Sequence, residues 1–160
     1  MSGVYEKDRT LSPLQWMTTA RDIRVEIDQI AHSDKIIPKS WRFTHAVPLC
    51  KSAKRLVRHT RKAYNRYPNT AKNVRKRKKF LQKAIDDCFD IVDDLQELKD
   101  VGLPINLNRF KKVADMLEAE IGLLRGVKNN TRLTGKAPIS ERISKLEMEL
   151  ADLRKIEADG

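Results

Sequence analysis

The chain has 160 residues, of which 40% are hydrophobic and 34% charged, and a formal net charge of +11. Its length is typical of a single domain with a buried core. No segment contains the roughly 18 uninterrupted apolar residues of a membrane-spanning helix, and the first ten residues contain no apolar signal core. Composition therefore argues against membrane and secreted proteins, and we expect a cytoplasmic one.

The predicted elements are all helices, because strand-type alternation is absent from the sequence. The first helix begins at Ser12, where Ser12-Pro13-Leu14-Gln15 matches a capping box with proline at the first helical position. It ends near His32. Its inward side chains, spaced by four, three, four and three residues, are Trp16, Ala20, Ile23, Ile27 and Ile30.

A turn containing Pro38 leads to the second helix, which extends to about Tyr67. Pro48 either opens the regular part of this helix or kinks it, since proline has no N–H for the helix interior. We expect a first turn over 41–46 and a break at Pro48. Its predicted inward side chains are Leu49, Ala53, Leu56, Val57, Ala63 and Tyr64.

The third helix is predicted from Thr70 to Val101, where Gly102 and Pro104 end it. Its inward side chains are Leu81, Ile85, Cys88, Val92, Leu95 and Leu98.

The fourth helix can be capped by Asn106 or Asn108. Gly122 and Gly126 form a GxxxG pattern, which permits close approach of another helix within or between subunits. The inward side chains are Phe110, Ala114, Leu117, Ile121 and Leu124.

Four long helices with short loops predict an all-α fold, an antiparallel up-and-down four-helix bundle. We expect an N-terminal tail over 1–11, the bundle over 12–128, a linker over 129–139 and a C-terminal helical tail over 140–160. Two heptads are too few for a stable isolated coiled coil, so this tail is expected to pack on a partner or a neighbouring subunit, or to fray. Its heptad-spaced residues are Ile143, Leu146, Leu150 and Leu153.

Positive charge is concentrated in one stretch of the chain. From Lys35 to Ile85 there are seventeen Lys and Arg residues and no Asp or Glu, whereas the rest of the chain has sixteen basic and twenty-two acidic residues. Such asymmetry is typical of a protein that binds a polyanion, and phosphate is the most common polyanion in a cell.

The basic side chains of the second and third helices form two narrow stripes opposite the apolar faces. The short turn at Tyr67-Pro68 makes these helices neighbours, so the stripes are expected to join into one surface. The predicted nucleic-acid-binding residues are Lys51, Arg55, Arg58, Lys62, Arg66, Lys72, Arg75, Lys76, Lys79 and Lys83.

The outward face of the third helix then becomes acidic. Either the basic end binds nucleic acid and the acidic end repels it or meets a basic partner, or subunits associate with acid facing base. Few exposed aromatic residues are expected here beyond Tyr67, which argues against a base-stacking platform and favours contact with the backbone. The acidic residues are Asp86, Asp87, Asp90, Asp93, Asp94 and Glu97.

No catalytic, metal or cofactor site is predicted. Residues 86–90 match the DDxxD pattern of magnesium sites, but we expect these carboxylates to face away from the core rather than into a cavity. His59 and the other two histidines are remote in sequence from any nucleophile and carboxylate. Cys50 and Cys88 lack a CxxC or histidine partner and are expected to be small core residues.

Two segments carry a family resemblance: the run Pro38–Thr44, PKSWRFT, and residues 120–126, EIGLLRG. Over roughly 14–127 the chain resembles the four-helix-bundle family that contains the accessory variability protein (Avd) of diversity-generating retroelements. The same family contains proteins encoded in intervening sequences of large-subunit ribosomal RNA. Pro48 and a tail from Lys136 onward depart from the family pattern.

The resemblance implies a non-catalytic homopentamer with a basic outer surface. It implies binding to the reverse transcriptase of the retroelement and to its RNA or cDNA, in support of mutagenic retrohoming. Within the run, Ser40 can cap the second helix, and Trp41 and Phe43 are expected to bury under the bundle end. Arg42 can contact a phosphate or bridge to a carboxylate.

Two alternatives remain open at this point. One is a structural oligomer whose basic surface docks an acidic protein. The other is the ribosomal-RNA intervening-sequence branch, with no polymerase as partner.

Overall fold

The computed structural model describes residues 13–134 and 139–159, and over these ranges the protein is all-α, with no strand. None of the described helices is both long enough and apolar enough to cross a membrane. A 3₁₀ turn over Lys39–Trp41 and a π-helical turn over Arg42–Ala46 precede the second helix. The helices are α1 Gln15–Ala31, α2 Val47–Tyr64, α3 Ala71–Asp100, α4 Leu107–Asn130 and α5 Ile139–Asp159.

Helices α1 to α4 enclose one hydrophobic core. α2 packs on α1 and α3, and α4 packs on α3 and α1, so each of the four has two helical neighbours. The predicted inward stripe of α1 is confirmed, because all five of its residues are buried. The largest fully buried apolar side chains are Ile23, Ile27, Ile30, Leu49, Leu56, Leu81, Ile91, Leu98, Val113, Leu117 and Leu124.

Local capping chemistry fixes both ends of α3. At its start the Thr70 hydroxyl oxygen accepts a hydrogen bond from the Asn73 backbone N–H at 3.0 Å. At its end Gly102 takes φ of +79°, and the Leu103 N–H donates to the Leu98 carbonyl at 3.1 Å. This is a Schellman ending, which glycine favours because it has no Cβ to clash in the left-handed region.

α1 and α4 begin differently from one another. Asn106 caps α4, since its side-chain oxygen accepts from the Arg109 backbone N–H at 3.2 Å. The predicted cap of α1, Ser12, lies outside the described residues. α1 itself begins at Gln15, with Leu14 in the capping position and no side-chain capping bond there.

Three predicted inward positions are wrong. Tyr64 is exposed, Val92 is 40% exposed and Ala114 is exposed, whereas Ile91 and Val113 are buried in their neighbourhood. In α4 the buried stripe is Val113, Leu117, Glu120 and Leu124, and its charged member falls outside an apolar pattern.

The run Pro38–Thr44 does not bury its aromatic side chains as expected. Trp41 is 37% exposed and Phe43 is 84% exposed. The buried side chains of this connection are Ile36 and Ile37 before it, and His45 and Ala46 after it. The tight 3₁₀ turn and the wide π turn place 41–44 outside the core, because both depart from the 100° step per residue of an α-helix.

The predicted capping role of Ser40 is wrong, whereas the regular part of the second helix begins at Val47, next to Pro48, after a separate first turn, as expected. No side-chain hydrogen bond caps the turns at 39–46 or the start of α2. Pro48 lies in the first turn of α2, a position where proline is well tolerated. Of the two roles open for Arg42, the structure shows a carboxylate bridge, with its Nη2 3.7 Å from Asp34 Oδ1.

Candidate nucleic-acid interface

The basic stripes of α2 and α3 meet over one aromatic ring. Lys62 Nζ from α2 lies 5.6 Å from the centroid of the Phe80 ring, and Lys83 Nζ from α3 lies 5.7 Å from it. The structure therefore brings these two lysines onto one surface, as the sequence predicted. We call the ten predicted residues the cationic surface.

Positive charge is densest near the α2–α3 turn. The pKa of Lys76 is lowered, first by the charge of Arg66 and then by those of Lys72 and Lys79. Three cations thus lie close enough to Lys76 to repel its charge. Within the described ranges none of the four forms an ion pair with a carboxylate. A bound phosphate would relieve this repulsion.

Arg55 is the exception on the cationic surface. Its Nε lies 3.7 Å from Asp87 Oδ1, and its Nη2 lies 4.0 Å from Asp90 Oδ2. The same Nη2 donates to the Ser52 hydroxyl at 3.1 Å, and that hydroxyl donates to Asp94 Oδ2 at 2.9 Å. Arg55 therefore belongs to a polar network between α2 and α3 and has its charge already partnered.

Asp87 is the buried centre of that network. The expectation that the carboxylates of 86–90 face away from the core is wrong for this residue, which is 4% exposed. Burial raises its pKa, while a hydrogen bond from His59 and the charges of His59 and Arg55 oppose the rise. His59, remote from any carboxylate in sequence, is brought to Asp87 by the packing of α2 on α3. A carboxylate in this position is tolerated because the side chains of Arg55 and His59, both from α2, reach it.

No cation site follows from these acids. Among the described residues no group of three or more His, Cys, Asp or Glu side chains is arranged to hold a metal ion. Asp86 and Asp90 are exposed, and Asp86 Oδ1 accepts from Gln82 Nε2 at 3.0 Å.

Exposed aromatic side chains are more numerous than expected. In addition to Tyr67, the side chains of Tyr64, Trp41 and Phe43 are exposed. Tyr64 and Tyr67 lie near the guanidinium of Arg77 at the same end as the α2–α3 turn. The sequence-based argument against base stacking therefore does not hold at this end, where rings and cations are neighbours.

Glu120 is the residue that sequence reasoning missed. Its side chain is fully buried in α4, and neither carboxylate oxygen has a hydrogen-bond partner among the described residues. Burial raises its pKa to about 8, so the group is mainly neutral at pH 7. The burial of Glu120 could have been predicted from helical spacing, because Glu120 lies three residues after Leu117 and four before Leu124, both of which are buried.

The two cysteines are free thiols of low reactivity. Cys88 is buried, as predicted, and Cys50 is half-buried. Burial and the nearby Asp28 carboxylate raise the pKa of Cys50 to about 11, and burial raises that of Cys88 further. Neither is a thiolate at neutral pH, which is the form that attacks or binds metals.

Comparison of the chain with protein-family models, with curated proteins and with solved structures gives no match.

Proposed function

We propose that the protein is a non-catalytic nucleic-acid-binding protein that contacts the sugar–phosphate backbone through the cationic surface. The observation that carries the proposal is the crowding of Arg66, Lys72 and Lys79 around Lys76, whose pKa their charges lower. In the described chain none of these four residues is paired with a carboxylate. Repelling cations on a surface favour binding of a linear polyanion.

We propose further that α1 to α4 form an antiparallel up-and-down bundle. Contacts between α2 and α3 support this arrangement, because they join later residues of one helix to earlier residues of the other. Ser52 meets Asp94, His59 meets Asp87, and Lys62 meets Phe80. The cationic surface then follows the outer side of this pair from the α2–α3 turn, and its members Lys51 and Arg55 lie beside the acidic half of α3.

The resemblance carried by Pro38–Thr44 suggests the biological setting. The protein would act as an accessory of a diversity-generating reverse transcriptase, holding template RNA or cDNA near the polymerase as a homopentamer in the cytoplasm. The exposure of Trp41 and Phe43 supports a protein-binding role for this run, since exposed aromatic residues are enriched where partners dock.

Equilibrium binding to labelled RNA and DNA strands tests the proposal, using filter retention with the full chain. Retention at 50 mM salt that is lost at high salt would support it. Negligible retention of either nucleic acid, together with capture of an acidic protein, would instead indicate a scaffold. A reverse transcriptase gene beside the gene for this chain would support the accessory role, whereas a position inside a ribosomal-RNA operon would contradict it.

A further inference from the structure

The apolar side chains that the structure describes in α5 are uncovered. Every side chain described in it, from Arg142 to Asp159, is exposed. Leu146 is 63% exposed and Leu153 is 62% exposed. An amphipathic helix of 21 residues in water gains stability when its apolar side is buried.

The exposed apolar side of α5 has the spacing of a coiled-coil seam. Ile143 and Leu150 occupy the a positions, and Leu146 and Leu153 occupy the d positions. The alternation of three and four residues averages 3.5 and keeps all four side chains on one ridge.

The charges beside this ridge complement a second copy of the same helix. Arg142 and Glu149 fall at g positions, and Glu147 and Arg154 fall at e positions. In parallel coiled coils a g residue meets the e residue five positions later on the neighbouring helix. Arg142 then meets the neighbour's Glu147, and Glu149 meets the neighbour's Arg154. All of these contacts are attractive.

The opposite orientation is disfavoured by the same residues. An antiparallel pair with all four apolar layers in register has its midpoint at Met148 and sets e against e and g against g. Glu147 would then face its own copy, as would Glu149, and like charges at such distances are destabilising.

We propose that α5 is a self-association helix that forms a parallel coiled coil with α5 of a second copy of this chain. Because two heptads are short, the pairing needs the full chain, where contacts between the remaining helices raise the effective concentration of the tails. This inference does not depend on nucleic-acid binding.

Sedimentation equilibrium of the full chain, without nucleic acid, tests whether the apolar ridge of α5 contributes to self-association. Leu146→Asp with Leu150→Asp is expected to raise the dissociation constant of the assembly by about tenfold or more, since two buried layers are lost. Met148→Asp with Ala151→Asp is the matched control. It adds the same charges to the opposite side of α5 and is expected to leave the dissociation constant unchanged. Equal effects of the two variants, or a wild-type chain that is monomeric throughout, would overturn the proposal.

Charge reversal tests whether the partner is α5 of a second copy. Arg142→Glu with Arg154→Glu makes all four flanking residues acidic, and Glu147→Lys with Glu149→Lys makes them all basic. Each variant alone is expected to associate more weakly, and an equal mixture is expected to recover wild-type affinity. Docking of α5 onto the apolar groove between α3 and α4 of its own chain, beside Val92 and Phe110, would give no recovery on mixing and would contradict the proposal.

Discussion

Lys62 and Lys83 share one aromatic ring. Their ammonium groups come from different helices and lie 5.6 Å and 5.7 Å from the centroid of Phe80. Each contact with the ring contributes about 0.5–1 kcal/mol at an exposed site, which offsets the repulsion between the two cations. The ring thus holds positive charge from α2 and α3 together on one side of the molecule.

Reversing charge at the densest part of the cationic surface should abolish nucleic-acid binding. Lys76→Glu with Lys79→Glu is expected to lower RNA affinity by at least about a hundredfold, because two phosphate contacts are lost and two repulsions are added. Fluorescence anisotropy measures the affinity, and far-UV circular dichroism should show unchanged helicity.

The matched control for that variant is Lys99→Glu with Lys111→Glu. Both lysines are exposed and lie near the connection between α3 and α4, far along α3 from Lys76. The change in net charge is the same, so a similar loss of affinity would show that total charge, rather than the cationic surface, determines binding.

Substitution of Arg55 should mainly affect the stability of the fold, and substitution of Arg58 should mainly affect RNA binding. Arg55→Met leaves Asp87 with one cationic partner fewer and is expected to destabilise the fold by about 1–2 kcal/mol, reduced by the partial exposure of the arginine. Arg58→Met is expected to weaken RNA binding with little change in stability, since Arg58 is exposed and forms no ion pair in the described chain. Urea denaturation and anisotropy on both variants check this, and the reverse pattern would refute the assignment of Arg55 to the polar network.

Glu120 should make stability fall as pH rises. Its pKa is about 8 in the folded protein against an ordinary value of 4.5, so between these values the folded state retains a proton that the unfolded chain has lost. The free energy of unfolding then decreases by up to about 1.4 kcal/mol per pH unit across that window, and this contribution is flat outside it.

Glu120→Gln removes that dependence. The stability difference between wild type and variant, measured by urea denaturation from pH 4 to pH 9, is expected to move in favour of the variant as pH rises. A difference that stays constant across this range would show that the carboxyl group has a partner or reaches water.

The aromatic side chains of the Pro38–Thr44 run should contribute little to stability. Phe43→Ala is expected to change the free energy of unfolding by less than about 0.5 kcal/mol because the ring is exposed. Leu56→Ala, at a fully buried position, is expected to cost about 2–5 kcal/mol. A large loss for Phe43→Ala in thermal or urea denaturation would place that ring in the core after all.

Local sequence signals predicted the helices well. The stripe from Trp16 to Ile30, the Thr70 and Asn106 starts and the Gly102 ending depend on interactions within a few residues, and the structure has each of them. The positively charged stretch could also be identified from the sequence, because recognising a run of basic residues without acidic ones requires no knowledge of the tertiary structure.

Contacts between helices could not be predicted from local sequence signals in this way. Asp87 looks like an outward residue of an acidic face until α2 supplies Arg55 and His59. Glu120 interrupts the apolar pattern of α4 and so shifted the predicted inward stripe toward Ala114. The 3₁₀ and π turns at 39–46 change the direction of Trp41 and Phe43, and helical periodicity alone gives no sign of such turns.

The most direct test of the account is the salt dependence of RNA affinity for the full chain. If the cationic surface neutralises about 6–8 phosphates, affinity should fall by about a thousandfold or more between 50 and 200 mM salt, with little difference between unrelated RNA sequences. An affinity that changes less than about tenfold over that range, or that depends strongly on sequence, would contradict binding through the phosphate backbone.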